Sequence, residues 1–312
     1  MRLSAGKRQV LRQLGLIVLA LLVIGLLIQA LGGIEFGRVL TELRAMPAEA
    51  LLYAVLLTVP AYACLLAYEA LALAFLGRRL PVARLVAVSL AAFALQRNVG
   101  PAPVTGGSLR YRYYRPCGFS VGDAVSITLL CGFAFTLGIV ATTGMALLLE
   151  PQAVSALLPL RDLAWRLLGL LLLMGLAGYL YWSHRRRMPL RFRNWQAPTP
   201  ELRISAAQVL VGVMDIALVA AVLYVLLPAG TGVDYPAFVG LYVLAMLVGA
   251  LSHVPGGIGV FEATLALMLP GTETHELLAA MLAFRGVYYL LPLGLAGLGV
   301  GGHELGRWLL RR

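Results

Sequence analysis

An all-α integral membrane protein, with about six transmembrane helices and two opposed re-entrant hairpins, is the fold this sequence predicts. Three observations predict it. The 312 residues are 61% hydrophobic and 12% charged, against roughly 45–50% and about 25% in soluble domains. Apolar runs of the length that spans a bilayer, about 17–25 residues, recur along the chain. Two further apolar stretches, one in each half, are interrupted by Gly/Pro runs: Asn98-Val-Gly-Pro-Ala-Pro-Val-Thr-Gly-Gly107 and His253-Val-Pro-Gly-Gly-Ile-Gly-Val-Phe-Glu262. Residues 1–312 read as one polytopic domain.

The first run, 14–31, follows Arg2, Lys7, Arg8 and Arg12. It has the charge of a signal peptide but exceeds a typical apolar core, and Ile28-Gln29-Ala30 is a poor cleavage site, so it reads as an uncleaved first helix. Further spans are expected at 48–76, 122–149, 163–183, 204–227 and 277–300. Residues 85–96 offer only twelve apolar-rich positions before Arg97, and 260–269 are too short to cross after 237–252. Each interrupted stretch therefore reads as a half-helix, a Gly/Pro loop and a return to the side of origin.

The charges support that topology. With the N-terminus in the cytoplasm, twenty of the 25 Lys and Arg fall inside and four outside (Arg38, Arg44, Arg161, Arg166), while Arg285 is embedded. Arg97, Arg110, Arg112 and Arg115 count as inside, as does the basic 184–203 loop, which suits a topology determinant or contact with anionic lipid. Eight acids fall outside. Making 85–96 a full span would reverse every later loop. Both termini are expected in the cytoplasm of a multi-pass bacterial inner-membrane protein. The hairpins then enter from opposite sides, each after a span holding a buried acid (Glu69, Asp215), which is the pattern of an inverted repeat with a site where the loops meet. The net charge of +11 is thus a matter of topology, and nucleic acid is not an expected partner.

Ionisable groups inside spans are costly and point to function. Glu69 is either a pathway acid or a near-interface acid two turns from Arg78 and Arg79. Asp215 lies near the middle of its span, and Arg285 needs a carboxylate, with Glu262 and Asp215 as the candidates; such pairs can also serve folding alone. Asn98, Thr105, Gly106 and Gly107 lead into Arg110 and Arg112. Glycine N–H groups converging on an anion, arginines gripping phosphate and interfacial tyrosines suggest a headgroup site at the cytoplasmic leaflet; positive-inside arginines beside an aromatic belt are the plainer reading. In the second break, His253 reads first as a hydrogen-bonded residue and second as a proton carrier. Pro255, Gly256, Gly257 and Gly259 break the helix. The glycines lie between half-helices, not after a strand, so no nucleotide site is expected. Cys64, Cys117 and Cys131 have no ligand spacing. No metal and no cofactor are expected.

These motifs resemble the membrane domain of the lysylphosphatidylglycerol flippase/synthetase (MprF) proteins and their stand-alone YbhN-like relatives. The resemblance rests on Tyr68-Glu69, Asn98, Thr105-Gly-Gly-Ser-Leu-Arg-Tyr-Arg-Tyr-Tyr114, Gly118-Phe-Ser120, Asp215, Leu226-Leu-Pro228, Ser252 through Glu262, Arg285, Tyr288-Tyr289 and Pro292. They run in order over nearly the whole chain, although the family pattern has Asp where Glu69 stands. The resemblance implies a lipid-translocation module acting on anionic or aminoacylated phosphatidylglycerol. With the chain ending at Arg312 there is no room for a soluble synthetase domain, so no aminoacyl transfer is expected. In this reading Arg110 and Arg112 capture phosphate, Glu69 and Asp215 line the path, and the two loops gate it, coupled by Glu262 and Arg285. A scaffold for a lipid synthase is the alternative partner-based reading, followed by an enzyme acting on a lipid headgroup. Small-residue runs at Gly169–Gly178 and Gly294–Gly302 suit helix packing within the chain or in a homo-oligomer.

Overall fold

The computed structural model describes residues 36–98, 102–152, 161–185, 190–192, 195–197, 201–228, 230–252, 254, 257, 259–269 and 271–299. The expected first span at 14–31 lies outside the described residues. A short helix α1 (Phe36–Ala45) leads into α2 (Ala48–Phe75), then α3 (Val82–Asn98), α4 (Ala102–Tyr114), α5 (Val121–Leu149) and α6 (Asp162–Arg185). Two three-residue strands, β1 (Leu190–Phe192) and β2 (Trp195–Ala197), pair antiparallel in the basic loop, with Arg191 opposite Gln196. Helices α7 (Leu202–Tyr224), α8 (Tyr235–Leu251), α9 (Val260–Met268) and α10 (Thr274–Phe284) follow. The last continues through a π-helical segment, Arg285–Leu290, to Gly299.

Five described helices are long and apolar enough to cross a membrane: Ala48–Phe75, Val121–Leu149, Asp162–Arg185, Leu202–Tyr224 and Thr274–Gly299. They match the expected spans, and the chain is an all-helical, multi-pass membrane protein. Leucines such as Leu129, Leu163, Leu171 and Leu210 are exposed on the outer faces of these helices, where lipid replaces a packing partner. By contrast α3 and α8, of 17 residues each, rise only about 26 Å, short of the roughly 30 Å hydrocarbon core. Each instead packs against the helix that follows it, α3 on α4 and α8 on α9. These are the two expected hairpins.

Side-chain contacts fix where each hairpin begins. Arg78 reaches Asp123 at 3.4 Å, and Arg84 meets the Cys117 sulfur. The end of α2, both ends of the first hairpin and the start of α5 therefore share one end of the bundle. Helix α6 runs back antiparallel to α5, with Trp165 beside Leu147 and Tyr179 against Phe133. It then pairs with the start of α7 through Ser183 and Ser205, 2.8 Å apart. At the far end Tyr224 packs on Tyr235 and Phe238, and Gly240 faces Ala146 near the end of α5. The second hairpin thus enters from the opposite end to the first. The order span, hairpin, span occurs twice, as α2, α3/α4, α5 and as α7, α8/α9, α10, with α2 and α7 packed on one another.

Glycine permits the closest crossings. A Cβ on Gly138 of α5 would sit 2.4 Å from the Gly212 carbonyl carbon of α7, and one on Gly169 of α6 would sit 2.7 Å from the Gly144 oxygen of α5. Without a hydrophobic drive between helices in lipid, this backbone approach and its dispersion contacts hold the spans together.

The first break is shorter than its Gly/Pro run suggests. Helix α4 starts at Ala102, so Thr105, Gly106 and Gly107 are helical, not part of an open loop. Pro103 sits in the first turn, where its missing N–H would have no helical partner anyway. Gly106 and Gly107 are present for close contact. A Cβ on Gly106 would lie 2.7 Å from Gln96 Oε1 and 2.9 Å from Arg110 Nη1. They do not form the expected anion cradle. In the second break Gly257 and Gly259 adopt φ of +60° and +84°, a region closed to most side chains. The Gly259 N–H, which opens α9, donates to Glu262 Oε2 at 2.6 Å.

Gly212→Leu should cost about 1–3 kcal/mol or more by overpacking, read as a lower unfolding midpoint in detergent. An unchanged midpoint would mean that the α5–α7 crossing is looser than described.

Candidate functional site

The two hairpin tips meet at one cavity of about 500 Å³ in the interior of the bundle. Gln96 and Arg97 enter it from the first hairpin, and Gly249, Val254, Gly257, Phe261 and Glu262 from the second. Asp215 and Arg285 line it from α7 and the final span. Most of the remaining wall is apolar or aromatic, including Tyr68, Phe93, Tyr242 and Phe284. A concave, largely apolar chamber with a few convergent polar groups is the usual form of a small-molecule site.

Two arginine–carboxylate pairs face this chamber. Arg97 Nη2 lies 3.5 Å from Asp215 Oδ2, which also accepts the Tyr68 hydroxyl at 3.2 Å. Both donors converge on the same oxygen. Asp215 Oδ1 has no hydrogen-bond partner among the described residues, although the side chain is fully buried. The Arg97 guanidinium also stacks over the Tyr288 ring at 5.1 Å. In the second pair Arg285 donates to Glu262 Oε1 through Nε at 2.9 Å and through Nη2. Of the two acids the sequence offers to Arg285, the structure selects Glu262. That carboxylate therefore ties the N-terminus of α9 to the last span.

The π-helical segment places Arg285, Tyr288 and Tyr289 beside the first hairpin. Part of its cause is legible in the chain. Pro292 has no N–H to give the Tyr288 carbonyl four residues earlier. That carbonyl accepts the Tyr62 hydroxyl of α2 at 3.2 Å instead, and the Tyr289 carbonyl accepts Asn98 Nδ2 at 3.3 Å. Freed backbone groups at membrane depth are thus satisfied by side chains from neighbouring helices. Asn98 pins the tip of the first hairpin to the last span, and π segments of this kind recur at functional sites.

A third pair lies outside the chamber. Glu69 and Arg110 are both fully buried. Arg110 spends Nε and Nη2 on the Glu69 carboxylate, at 2.7–3.0 Å, and Nη1 on the Thr128 hydroxyl at 3.1 Å. Tyr114 donates to Glu69 at 2.9 Å, and Phe93 lies under the guanidinium at 4.8 Å. This network joins α2, α4 and α5. The expectation that Arg110 captures phosphate at the surface, and that Glu69 lines the path, is corrected by this burial: the two groups saturate one another. Arg112, two residues on and so on the opposite side of α4, is exposed beside Tyr113. Thr105 is half-buried on the same helix. His253, Pro255 and Gly256 lie outside the described residues.

Sequence reading missed Arg97 by counting it with the cytoplasmic basic groups, an asymmetry that stands without it. A signal was present. Arg97 is fifteen residues beyond Val82, the start of α3, which puts it about 22 Å up a half-helix, far from headgroup level. The tyrosines that surround the pair, Tyr62, Tyr68 and Tyr288, come from separate spans, and no local pattern connects them.

Residues 13–296 match the family model described as the lysylphosphatidylglycerol synthase transmembrane region. The chain belongs to this family. A Synechocystis protein, slr0712, is 34% identical over 245 residues, which cover 78% of this chain and 76% of that protein. The inner membrane protein YbhN of Escherichia coli is 29% identical over 283 residues, 88% of this chain and 86% of that protein. A shorter match, 35% identical over 66 residues, joins it to a phosphatidylglycerol lysyltransferase of Staphylococcus epidermidis and covers 20% of this chain and 8% of that enzyme. The family match runs across both hairpins and the first four described spans and reaches into the last, Thr274–Gly299.

Breaking the Glu69–Arg110 pair should be severe. Arg110→Met strands a buried carboxylate and should lower stability by about 3–5 kcal/mol, whereas Glu69→Leu combined with Arg110→Met should lose less than the two single changes together. Unfolding in detergent measures both, and additive losses would show that the groups are not coupled.

Proposed function

We propose that this protein moves a phospholipid headgroup between leaflets through the chamber at the hairpin tips, without aminoacyl-transferase chemistry of its own. The observation that carries this reading is the meeting of two half-membrane hairpins, entering from opposite ends, at one cavity with two arginine–carboxylate pairs. Broken helices converging on a midplane site are how many transporters expose one site alternately to each side.

The chemistry suits a phospholipid. Arg97 and Arg285 offer planar guanidinium donors for a phosphate. Each guanidinium is held by a carboxylate; a phosphate that takes the guanidinium releases that carboxylate, and the site stays neutral only when a cationic group on the same headgroup pairs with it. Asp215 Oδ1 and Glu262 suit the amine of a cationic or zwitterionic headgroup. Lysylphosphatidylglycerol, named in the family description, carries both charges and is the substrate this reading favours. Arg112 lies at the end of the bundle that also holds Arg78, Arg84 and Arg115, where it attracts anionic headgroups. The positive-inside rule sets that end in the cytoplasm of a bacterial inner membrane.

Reconstituted into vesicles, the protein should accelerate leaflet exchange of labelled phosphatidylglycerol or its lysyl ester. Asp215→Asn and Arg97→Gln should each slow exchange about tenfold or more per folded molecule. Exchange no faster than in protein-free vesicles would overturn the reading. Wild-type rates in both variants would remove the Arg97–Asp215 pair from the mechanism.

A further inference from the structure

The cavity has an edge that faces lipid. Leu129, Gly132, Phe133 and Thr136 on α5 are all exposed and follow the i, i+3, i+4, i+7 spacing of one helical face. In the middle of this stripe Gly132 also lines the cavity. A side chain missing there leaves an opening. A Cβ built on Gly132 meets no atom within 4 Å. The other two glycines of the wall differ: a Cβ on Gly257 lies 3.3 Å from the Gly249 Cα, so those two are held together by close packing. Gly132 has no such reason, and mid-helix glycine is destabilising relative to alanine. The Thr136 hydroxyl donates back to the Gly132 carbonyl at 2.9 Å, so this polar group on the lipid-facing stripe is satisfied within the helix. At the end of α8, Ala250 is the other lining residue that is exposed, and its neighbours Val248 and Leu251 are exposed as well. The two points where wall and outer surface coincide therefore carry the two smallest side chains.

Their depth matters. Gly132 is eleven residues from Val121, about 17 Å up a helix of 29 residues and about 44 Å in length. That is hydrocarbon level, not headgroup level. A cavity of about 500 Å³ is in the range that encloses a compact polar group, roughly 300–1,000 Å³, and is too polar at its centre for acyl chains. Acyl chains drawn past the two arginine–carboxylate pairs would exchange bilayer contact for charged neighbours and lose hydrophobic stabilisation. A lipid using this cavity keeps its chains in the membrane.

We infer that the cavity opens sideways into the bilayer at Gly132 and Ala250, and that the acyl chains of a phospholipid pass along this slot while its headgroup occupies the chamber. This rests on the transport reading above and adds the route that the chains of the lipid take. The absence of a side chain at Gly132 is what keeps the slot open.

Filling the slot tests it. A Cβ at position 132 meets no atom within 4 Å and the position is exposed, so Gly132→Trp should fold, with an unfolding midpoint near that of the wild type. In proteoliposomes it should slow exchange of acyl-labelled phosphatidylglycerol about tenfold or more. Binding of water-soluble glycerophosphoglycerol to the purified protein should stay within about twofold, because the arginines and carboxylates of the chamber are unchanged and only its lipid-facing edge is filled. Gly132→Ala should retain most of the exchange rate. If Gly132→Trp fails to fold, Gly132→Cys is folded, reconstituted and then modified with a bulky maleimide, with the unsubstituted protein treated alike to account for Cys117. Active wild type with equally active Gly132→Trp or modified Gly132→Cys protein overturns the slot and leaves the transport reading standing. A parallel loss of glycerophosphoglycerol binding also overturns it, since the chamber itself would then be blocked. Inactive wild type overturns both.

Discussion

A polypeptide cannot leave its N–H and C=O groups open in hydrocarbon, and the architecture is organised around the two places where this chain interrupts its helices at that depth. Both interruptions face the interior of the bundle, and among the described residues backbone groups at the second break and in the adjoining last span are bonded by side chains. Asn98 caps the carbonyls of its own helix and of Tyr289. Glu262 accepts the Gly259 N–H that opens α9, and Tyr62 takes the carbonyl released by Pro292. The polar groups that solve the backbone problem are the ones that make the interior hospitable to a charged ligand.

The buried charges divide by whether they are saturated. Every nitrogen of the Arg110 guanidinium and both oxygens of Glu69 are bonded to each other, Thr128 or Tyr114. Such a network holds α2, α4 and α5 in register and offers little to a ligand. Around the chamber the pairing is looser. Arg97 reaches Asp215 only at 3.5 Å, and one oxygen of that buried acid has no donor among the described residues. A buried acid in that state stands ready for a cation or a hydrogen-bond donor. The same residue types thus perform different work, and the difference lies in coordination number, not in composition.

Glycine is divided in the same way. Gly138, Gly144, Gly169 and Gly212 let helices touch backbone to backbone. Gly257 and Gly259 supply positive φ where the second hairpin turns. Gly106 makes room for Gln96 and Arg110 within the first hairpin. Gly132 belongs to none of these groups, because nothing lies near it, and it is there that the chamber borders the lipid-facing surface.

The sequence by itself determined the membrane class, the five described spans, the two hairpins and their opposed directions. Span length and charge placement are set by the bilayer acting on each segment separately, so they can be read segment by segment. It also marked Asp215, Glu262, Arg285 and Asn98, because polar groups deep in apolar runs stand out locally. Only the tertiary structure decided which charges pair. It sent Arg110 into a closed network with Glu69, brought Arg97 to Asp215 across more than a hundred residues, gave Arg285 to Glu262, and turned Gly106 and Gly107 from a presumed loop into a helix. Pairing depends on the distances between helices that are far apart in the chain. Those distances follow from which glycine faces meet, and no single segment carries that information.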